Sequence, residues 1–120
     1  MIFFTKKEIG DFGENLAEKF LKKKKKYKIL GKNWRHGHGE IDIIALDDEV
    51  IVFVEVRTRK SDALVPGYFS ISKNKKEVLK ATCYAYVAEN KILYYRFDVV
   101  EIDYNLESSE IFHYENIPLF

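Results

Sequence analysis

Two strand-like segments in the middle of the chain constrain its fold more than any other feature. They read "EIDIIAL" (residues 40–46) and "EVIVFVEVRTR" (residues 49–59). Both are rich in β-branched residues, and only a short acidic stretch separates them, which is typical of an antiparallel hairpin. A turn at Asp48 and Glu49 sets the register of this hairpin, and we expect it to place Asp42 directly opposite Glu55.

The same register places Glu40 opposite Arg57. Because side chains alternate between the two faces of a strand, Asp42, Glu55 and this second pair are predicted to share one face of the hairpin. Their predicted apolar neighbours on that face are Ile44, Leu46, Ile51 and Phe53. The opposite face is predicted to carry only apolar side chains, which are Ile41, Ile43, Ala45, Val50, Val52, Val54 and Val56.

Asp42 and Glu55 would then hold two carboxylates with their Cβ atoms about 5 Å apart. Like charges at this distance repel, and burial adds to the penalty unless a proton or a cation lies between them. A hard divalent cation, Mg²⁺ or Mn²⁺, would relieve the repulsion and keep coordination positions for phosphate oxygens, which Arg57 could also reach. Alternatively, each carboxylate forms an ordinary ion pair on a solvated sheet face. The residues alone leave both interpretations open.

The flanking segments predict two helices and further strands. Thr5 and Glu8 have the spacing of a capping box, and an apolar stripe follows at helical spacing. The stripe consists of Ile9, Phe12, Gly13, Leu16, Ala17, Phe20 and Leu21. Gly10 and Gly13 indicate either close packing of this helix on the sheet or room for a substrate. A second helix is predicted over residues 73–89, and strands over "ILYYRFDVVEID" and "EIFHYENI".

The predicted fold class is therefore an α/β sandwich with the order α-β-β-β-α-β-β and a mixed central sheet. A helix connects the third and fourth strands, so these two strands should be parallel. We expect one domain, residues 1–120. The single cysteine, Cys83, excludes an internal disulfide and favours a reducing, cytoplasmic location. No apolar run approaches the length of a membrane-spanning helix.

Two weaker signals concern histidines and aromatic residues. His36 and His38 in "HGHG" could ligate a metal ion, although the intervening glycines favour a simple turn. Three aromatic side chains could stack on unpaired bases, namely Trp34, Tyr68 and Phe69. A core position is the simpler interpretation for Trp34.

The ordered segments "GDFGENLAEKFL", "ILGKNWR", "GEIDIIA", "VFVEVRTR" and "RFDVVEI" resemble the YraN-like family of small uncharacterised bacterial proteins. This family is similar to archaeal Holliday-junction resolvases and to the restriction-endonuclease-like, PD-(D/E)xK nucleases. The resemblance implies an α-β-β-β-α-β fold and Mg²⁺- or Mn²⁺-dependent hydrolysis of DNA, on branched or damaged substrates. It also implies a homodimer, because resolvases act on two-fold symmetric junctions.

The resemblance further implies individual roles. Asp42 and Glu55 would be the metal-binding carboxylates, with Glu14 as an additional acid from the first helix. From the residues alone, Glu14 fits a solvent-exposed helix position equally well. Arg57 occupies the position where the nuclease motif usually has lysine. Three cations are candidate contacts to the DNA backbone or ordinary surface charges, and these are Arg59, Lys73 and Lys76.

Arg57 differs from the lysine of the nuclease motif, and this difference bears on whether the protein can catalyse hydrolysis. A lysine can orient or help deprotonate the attacking water, whereas arginine stays protonated and can only donate hydrogen bonds. The acid pair and the resemblance together predict a metal-dependent nuclease. The first alternative is a non-catalytic nucleic-acid-binding module that retains the nuclease fold, and the second is a structural or interaction protein in which the acid cluster is a remnant.

Overall fold

The computed structural model describes residues 4–60, 71–105 and 107–120. The elements are α1 (Lys6–Lys23), β1 (Lys28–His36), β2 (Gly39–Asp47), β3 (Val50–Lys60), α2 (Lys73–Asn90), β4 (Tyr95–Tyr104) and β5 (Ser109–Tyr114). This order confirms the predicted α-β-β-β-α-β-β fold class. Within these described ranges, no helix is long and apolar enough to cross a membrane.

The five strands form one mixed sheet in the order β1-β2-β3-β4-β5. All neighbouring strands are antiparallel except β3 and β4, which are parallel as the helical connection predicts. Between β2 and β3, Asp48 and Glu49 form the turn, and Asp48 adopts the left-handed conformation (φ 56°) that suits a two-residue hairpin loop. The predicted register is confirmed from Ile43 opposite Val54 to Asp47 opposite Val50.

Helix α1 covers one face of the sheet. It begins at the predicted capping box, in which Thr5 and Glu8 bond to each other's backbone N–H groups. Its buried residues are Gly13, Ala17 and Leu21, which pack against a cluster that includes Ile43, Ala45, Val52, Val54, Val100 and Ile102. A Cβ atom at Gly13 would collide with the side chain of Thr58 on β3. Close helix–sheet packing therefore accounts for this glycine.

Helix α2 covers the other face. Ser72 caps its first turn by accepting a hydrogen bond from the backbone N–H of Lys75 (3.1 Å). Leu79 and Cys83 pack against a second apolar cluster, which contains Ile41, Ile44, Ile51, Phe53, Ile71, Phe97 and Val99. The fold is therefore a three-layer α/β/α sandwich, with the sheet between the helices.

The predicted alternation along β2 is wrong at Asp42. Ile43 faces α1, as predicted, but Ile41 packs in the cluster under α2, and Glu40 accepts a hydrogen bond from Asn33, which also donates to Glu14 of α1. The prediction that Glu40 and Ile44 share one face of the sheet is therefore wrong.

The physical reason lies in the end of the β2–β3 pairing. The paired residues stop at Ile43 and Val54, and beyond them the backbone N–H of Val56 donates to the side chain of Asp42 (Oδ2, 2.8 Å). Opposite this point on β1, Asn33 adopts a left-handed conformation (φ 51°) that reverses the alternation there as well. Strands β2 and β3 consequently separate where Asp42 lies, and a predicted pairing of Glu40 with Arg57 does not form.

Candidate functional site

Asp42 and Glu55 meet where β2 and β3 separate. Glu55 is almost completely buried, with 3% of its surface exposed, although it is a charged residue on a central strand. Its Oε2 atom receives no well-aligned hydrogen bond, but the ammonium group of Lys75 lies 3.0 Å away. The predicted juxtaposition of the two carboxylates is therefore present, and the contact with Lys75 was not predicted.

The proximity of the two acids perturbs Asp42 strongly. Burial, followed by the hydrogen bond and the negative charge of Glu55, raises the pKa of Asp42 to about 9. The N–H of Val56 opposes this shift, and the nearby charge of Glu14 adds to it. Near neutral pH the Asp42 carboxyl therefore keeps its proton when no cation is bound, and this proton relieves the repulsion between the two side chains.

Two cavities open at this pair of acids, one toward each helix. The cavity on the α1 side has a volume of about 390 Å³, and we call it the acid cavity. It is lined by Lys6, Ile9, Gly10, Glu14, Asp42, Glu55, Val56, Thr58, Lys75 and Tyr104. The cavity on the α2 side has a volume of about 370 Å³ and is lined by His38, Gly39, Glu40, Asp42, Glu55, Lys75, Val78 and Leu79. Both cavities thus share Asp42, Glu55 and Lys75.

Glu14 lies at the acid cavity and not on the solvent side of α1. Its Oε1 atom accepts a hydrogen bond from Asn33 Nδ2 (2.8 Å), and the same amide group donates to Glu40 (2.8 Å). Asn33 therefore holds the helix acid toward the strands. Gly10, one turn earlier on α1, also lines this cavity, and a Cβ atom there would meet nothing within 4 Å. Of the two explanations for the helix glycines, room beside the site fits Gly10.

Lys75 is the functional candidate that the sequence analysis missed. The first-turn lysines chosen as DNA contacts were Lys73 and Lys76, which are both exposed. Lys75 lies one helical turn before the buried Leu79, so its side chain projects toward the sheet. The spacing of Lys75 with Leu79 and Cys83 on one helical face was the signal that could have identified it.

The two strand arginines lie further along β3. Arg57 is half-buried, stands in register with Glu101 of β4 and is not among the described residues that line the two cavities. Arg59 forms ion pairs with Glu101 (3.1 Å) and Asp103 (3.5 Å). A role for Arg59 in binding DNA would require it to exchange these two carboxylates for phosphate groups.

Comparison with known sequences assigns the chain to a family. The profile of the uncharacterised protein family UPF0102 matches residues 13–102, a span that contains both acids of the pair, Glu14 and Lys75. The chain belongs to the UPF0102 family. A UPF0102 protein from Caldicellulosiruptor bescii is 48% identical over 100 residues, which cover 80% of this chain and 82% of the relative.

Two further UPF0102 relatives agree. A protein from Clostridium perfringens is 42% identical over 106 residues, covering 87% of this chain and 86% of its own. A protein from a Sulfurihydrogenibium species is 42% identical over 113 residues, which cover 92% of this chain and 94% of the relative. The resemblance to the YraN-like family is thereby confirmed over most of the chain, while the uncharacterised UPF0102 family supplies no activity.

The histidines of "HGHG" have different positions in this UPF0102 protein. His36 stacks on Trp34, with ring centroids 6.1 Å apart, whereas His38 lies in the turn and lines the cavity on the α2 side. Trp34 also packs edge-on against Tyr86 of α2 (5.2 Å), which supports its interpretation as a core residue. The other two aromatic candidates, Tyr68 and Phe69, lie outside the described residues.

A separate group that could hold a metal ion comprises Asp98, His113 and Glu115, which can each offer a ligand atom within 4.8 Å of the others. Asp98 is fully buried, and it accepts hydrogen bonds from Arg96 (3.0 Å) and the backbone N–H of Asn116 (2.9 Å), with His113 Nε2 at 2.7 Å. Burial opposes ionisation of Asp98, but these bonds outweigh it and lower the pKa of that carboxyl. A metal ion here would have to displace the guanidinium of Arg96.

Proposed function

We propose that the protein is a metal-dependent, nuclease-like enzyme that hydrolyses DNA phosphodiester bonds, with Asp42 and Glu55 as its metal ligands. The observation that carries the proposal is the contact between these two carboxylates at the wall of an open cavity, with the pKa of Asp42 raised to about 9. Strongly perturbed acids in a cavity are typical of functional sites. The resemblance of the motif to that of the PD-(D/E)xK nucleases points the same way.

The residues of the acid cavity fit Mg²⁺ or Mn²⁺. Their donor atoms are carboxylate oxygens, which hard divalent cations prefer, and two carboxylates leave coordination positions open for water and phosphate. The raised pKa of Asp42 indicates an excess of negative charge at the pair that a cation can neutralise. When bound, such an ion polarises a phosphoryl oxygen and makes water a better nucleophile near neutral pH.

The remaining residues of the cavity have their own roles in this proposal. Lys75 supplies an ammonium group beside Glu55, where it can bind a phosphate oxygen and stabilise the negative charge that develops there. We therefore propose for Lys75 the role that the lysine of the PD-(D/E)xK motif has, and the catalytic role predicted for Arg57 stays a prediction. Glu14, held by Asn33, adds a third carboxylate at the cavity.

Contacts to the DNA backbone remain part of the proposal. Lys73 and Lys76 lie exposed on the first turn of α2, beside Lys75. A phosphate chain that enters the acid cavity would pass this turn, where lysines contribute salt-dependent affinity. The homodimer and the cytoplasmic location inferred from the sequence stay predictions.

The test is a cleavage assay on labelled duplex, single-stranded, flap and four-way-junction DNA with Mg²⁺ or Mn²⁺. Wild type is compared with Asp42→Asn and with Asp48→Asn, which makes the same chemical change at an exposed turn residue. All three proteins are purified identically to reveal contaminating nucleases. We expect wild type and Asp48→Asn to cut DNA and Asp42→Asn to lose at least two orders of magnitude in rate.

Other results would change the conclusion in defined ways. If no variant cuts DNA but wild type binds it with salt-dependent affinity, the non-catalytic nucleic-acid-binding module is the better interpretation. Calorimetry should detect binding of Mg²⁺ or Mn²⁺ to wild type, and Asp42→Asn should abolish it. If wild type binds neither ion, or Asp42→Asn binds as well as wild type, the metal site itself is refuted. Equal cutting by wild type and Asp42→Asn would assign the activity to a contaminant or to other residues.

A further inference from the structure

A third cavity, which is mainly apolar, adjoins the acid cavity. It has a volume of about 350 Å³, and we call it the aromatic groove. Its lining consists of Phe4, Glu8, Ile9, Phe12, Tyr104, Asn105 and Ser109. Ile9 and Tyr104 line both cavities, so the two are neighbours along the N-terminal half of α1.

The aromatic side chains of this groove are exposed against the pattern of the helix. Phe12 belongs to the apolar stripe of α1, whose members Gly13, Ala17 and Leu21 are buried, yet 47% of its surface is exposed. Phe4 is 64% exposed beside the same groove. A cluster of exposed aromatic rings that rims a concave surface is more typical of a binding site than of a solvated face.

The position of the groove indicates the chemistry of its occupant. A ligand whose phosphate lies at Asp42 and Glu55 and which extends along α1 places the neighbouring part of the molecule beside Ile9 and Tyr104. Lys6, which lines the acid cavity at that end of α1, offers a cation to the phosphate. In a nucleic acid, the group next to a phosphate that fits an aromatic cleft is a nucleobase, since every base has a face that stacks on aromatic rings.

We propose that Phe4, Phe12 and Tyr104 bind an unpaired nucleobase adjacent to the phosphodiester at the acid cavity. This inference rests on the proposed function, and it specifies the substrate class. A base within an intact duplex is stacked and paired, so only single strands, flaps and nucleotides at junctions or mismatches can fill the groove without unpairing. Because stacking tolerates all bases, the groove should confer a preference for DNA structure and little preference for sequence.

Binding is the appropriate test, because it does not require cleavage. The affinities of wild type and variants for a fluorescently labelled single strand and for a blunt duplex are measured with Ca²⁺, a hard cation that carboxylates bind, and gel electrophoresis verifies that the DNA stays intact. Phe12→Ala removes a groove ring, Phe12→Tyr retains one, and Phe112→Ala removes a phenyl ring that is 37% exposed outside the groove. Circular dichroism and thermal melting establish that each variant is folded.

We expect Phe12→Ala to weaken binding of the single strand by roughly 5- to 100-fold, the range for loss of one base–aromatic stack, and to leave duplex binding unchanged. Phe12→Tyr and Phe112→Ala should behave as wild type. If Phe12→Ala weakens binding of the single strand and the duplex equally, or weakens binding of neither, the inference is overturned. A wild-type dimer that dissociates in Phe12→Ala would also overturn it, because the groove would then hold a second copy. Absence of cleavage with intact, Phe12-dependent strand binding would refute the proposed catalysis alone.

Discussion

Replacing Asp42 with asparagine should make the stability of the protein less sensitive to alkali. Asparagine has the shape of a protonated aspartic acid and can still accept the hydrogen bond from the backbone N–H of Val56. Its amide group can donate to Glu55, as the neutral carboxyl does. The variant therefore reproduces the protonated state of Asp42 at every pH, and the two proteins should be about equally stable below the unfolded-state pKa of about 3.9.

The magnitude follows from proton linkage. The pKa of Asp42 is raised to about 9 in the folded protein, whereas it is about 3.9 in an unfolded chain. Between these values the folded state binds one proton more than the unfolded state, so the free energy of unfolding falls as pH rises, by at most about 1.4 kcal/mol per pH unit. Over three pH units, from 4.5 to 7.5, wild type should lose at most about 4 kcal/mol relative to Asp42→Asn.

Urea denaturation followed by circular dichroism, in EDTA at several pH values, measures this difference directly. Asp48→Asn is the matched control, because it removes a carboxylate from an exposed turn whose left-handed backbone suits asparagine. Its stability should parallel wild type throughout. Adding Mg²⁺ should stabilise wild type increasingly as pH rises, since the ion replaces the proton, and should not stabilise Asp42→Asn. If the free energy of unfolding depends on pH in the same way for wild type and Asp42→Asn, the pKa of Asp42 is not raised in the folded protein.

Further substitutions test three separate features. Lys75→Gln should reduce cleavage about a hundredfold at saturating Mg²⁺, as for loss of one transition-state donor. Lys19→Gln, at an exposed position of α1 that lines neither cavity, should change it little. Gly13→Ala should lower the free energy of unfolding by about 1–3 kcal/mol, because the added methyl group would collide with Thr58. Gly10→Ala has open space around it and should raise the free energy of unfolding by up to about 1 kcal/mol in the same urea titration. Asp98→Asn should destabilise by about 3 kcal/mol or more at pH 7; its carboxyl pKa is lowered in the folded state, so the difference from wild type should shrink as pH falls below about 4.

The hairpin and the acid pair could be predicted because local rules determine them. A two-residue turn fixes which residues of β2 and β3 are opposite each other, and the period of two along a strand fixes which side chains meet. Asp42 and Glu55 could therefore be paired without knowledge of the rest of the chain. The helices followed similarly from a capping box and from apolar spacing.

The details that depend on contacts between distant elements could not be predicted. The reversal of alternation at Asp42 arises because its carboxylate accepts the N–H of Val56 and because Asn33, on a third strand, adopts a left-handed conformation. No local pattern specifies either event. The orientation of Glu14 likewise depends on a hydrogen bond from Asn33. Lys75 differs, since its helical phase relative to Leu79 was visible in the sequence and was not used.

The separation of β2 and β3 explains why the chain carries carboxylates where apolar residues would give a more stable sheet. Burying polar side chains costs free energy that apolar side chains would not, so stability alone does not account for Asp42 and Glu55. The cost is confined to the point where strand pairing ends and where the first turn of α2 brings Lys75 to Glu55. The unfavourable burial of the acids is local, and the well-packed core on both sides of the sheet compensates for it. Such a local cost, offset elsewhere in the fold, is typical of sites that bind ligands or catalyse reactions.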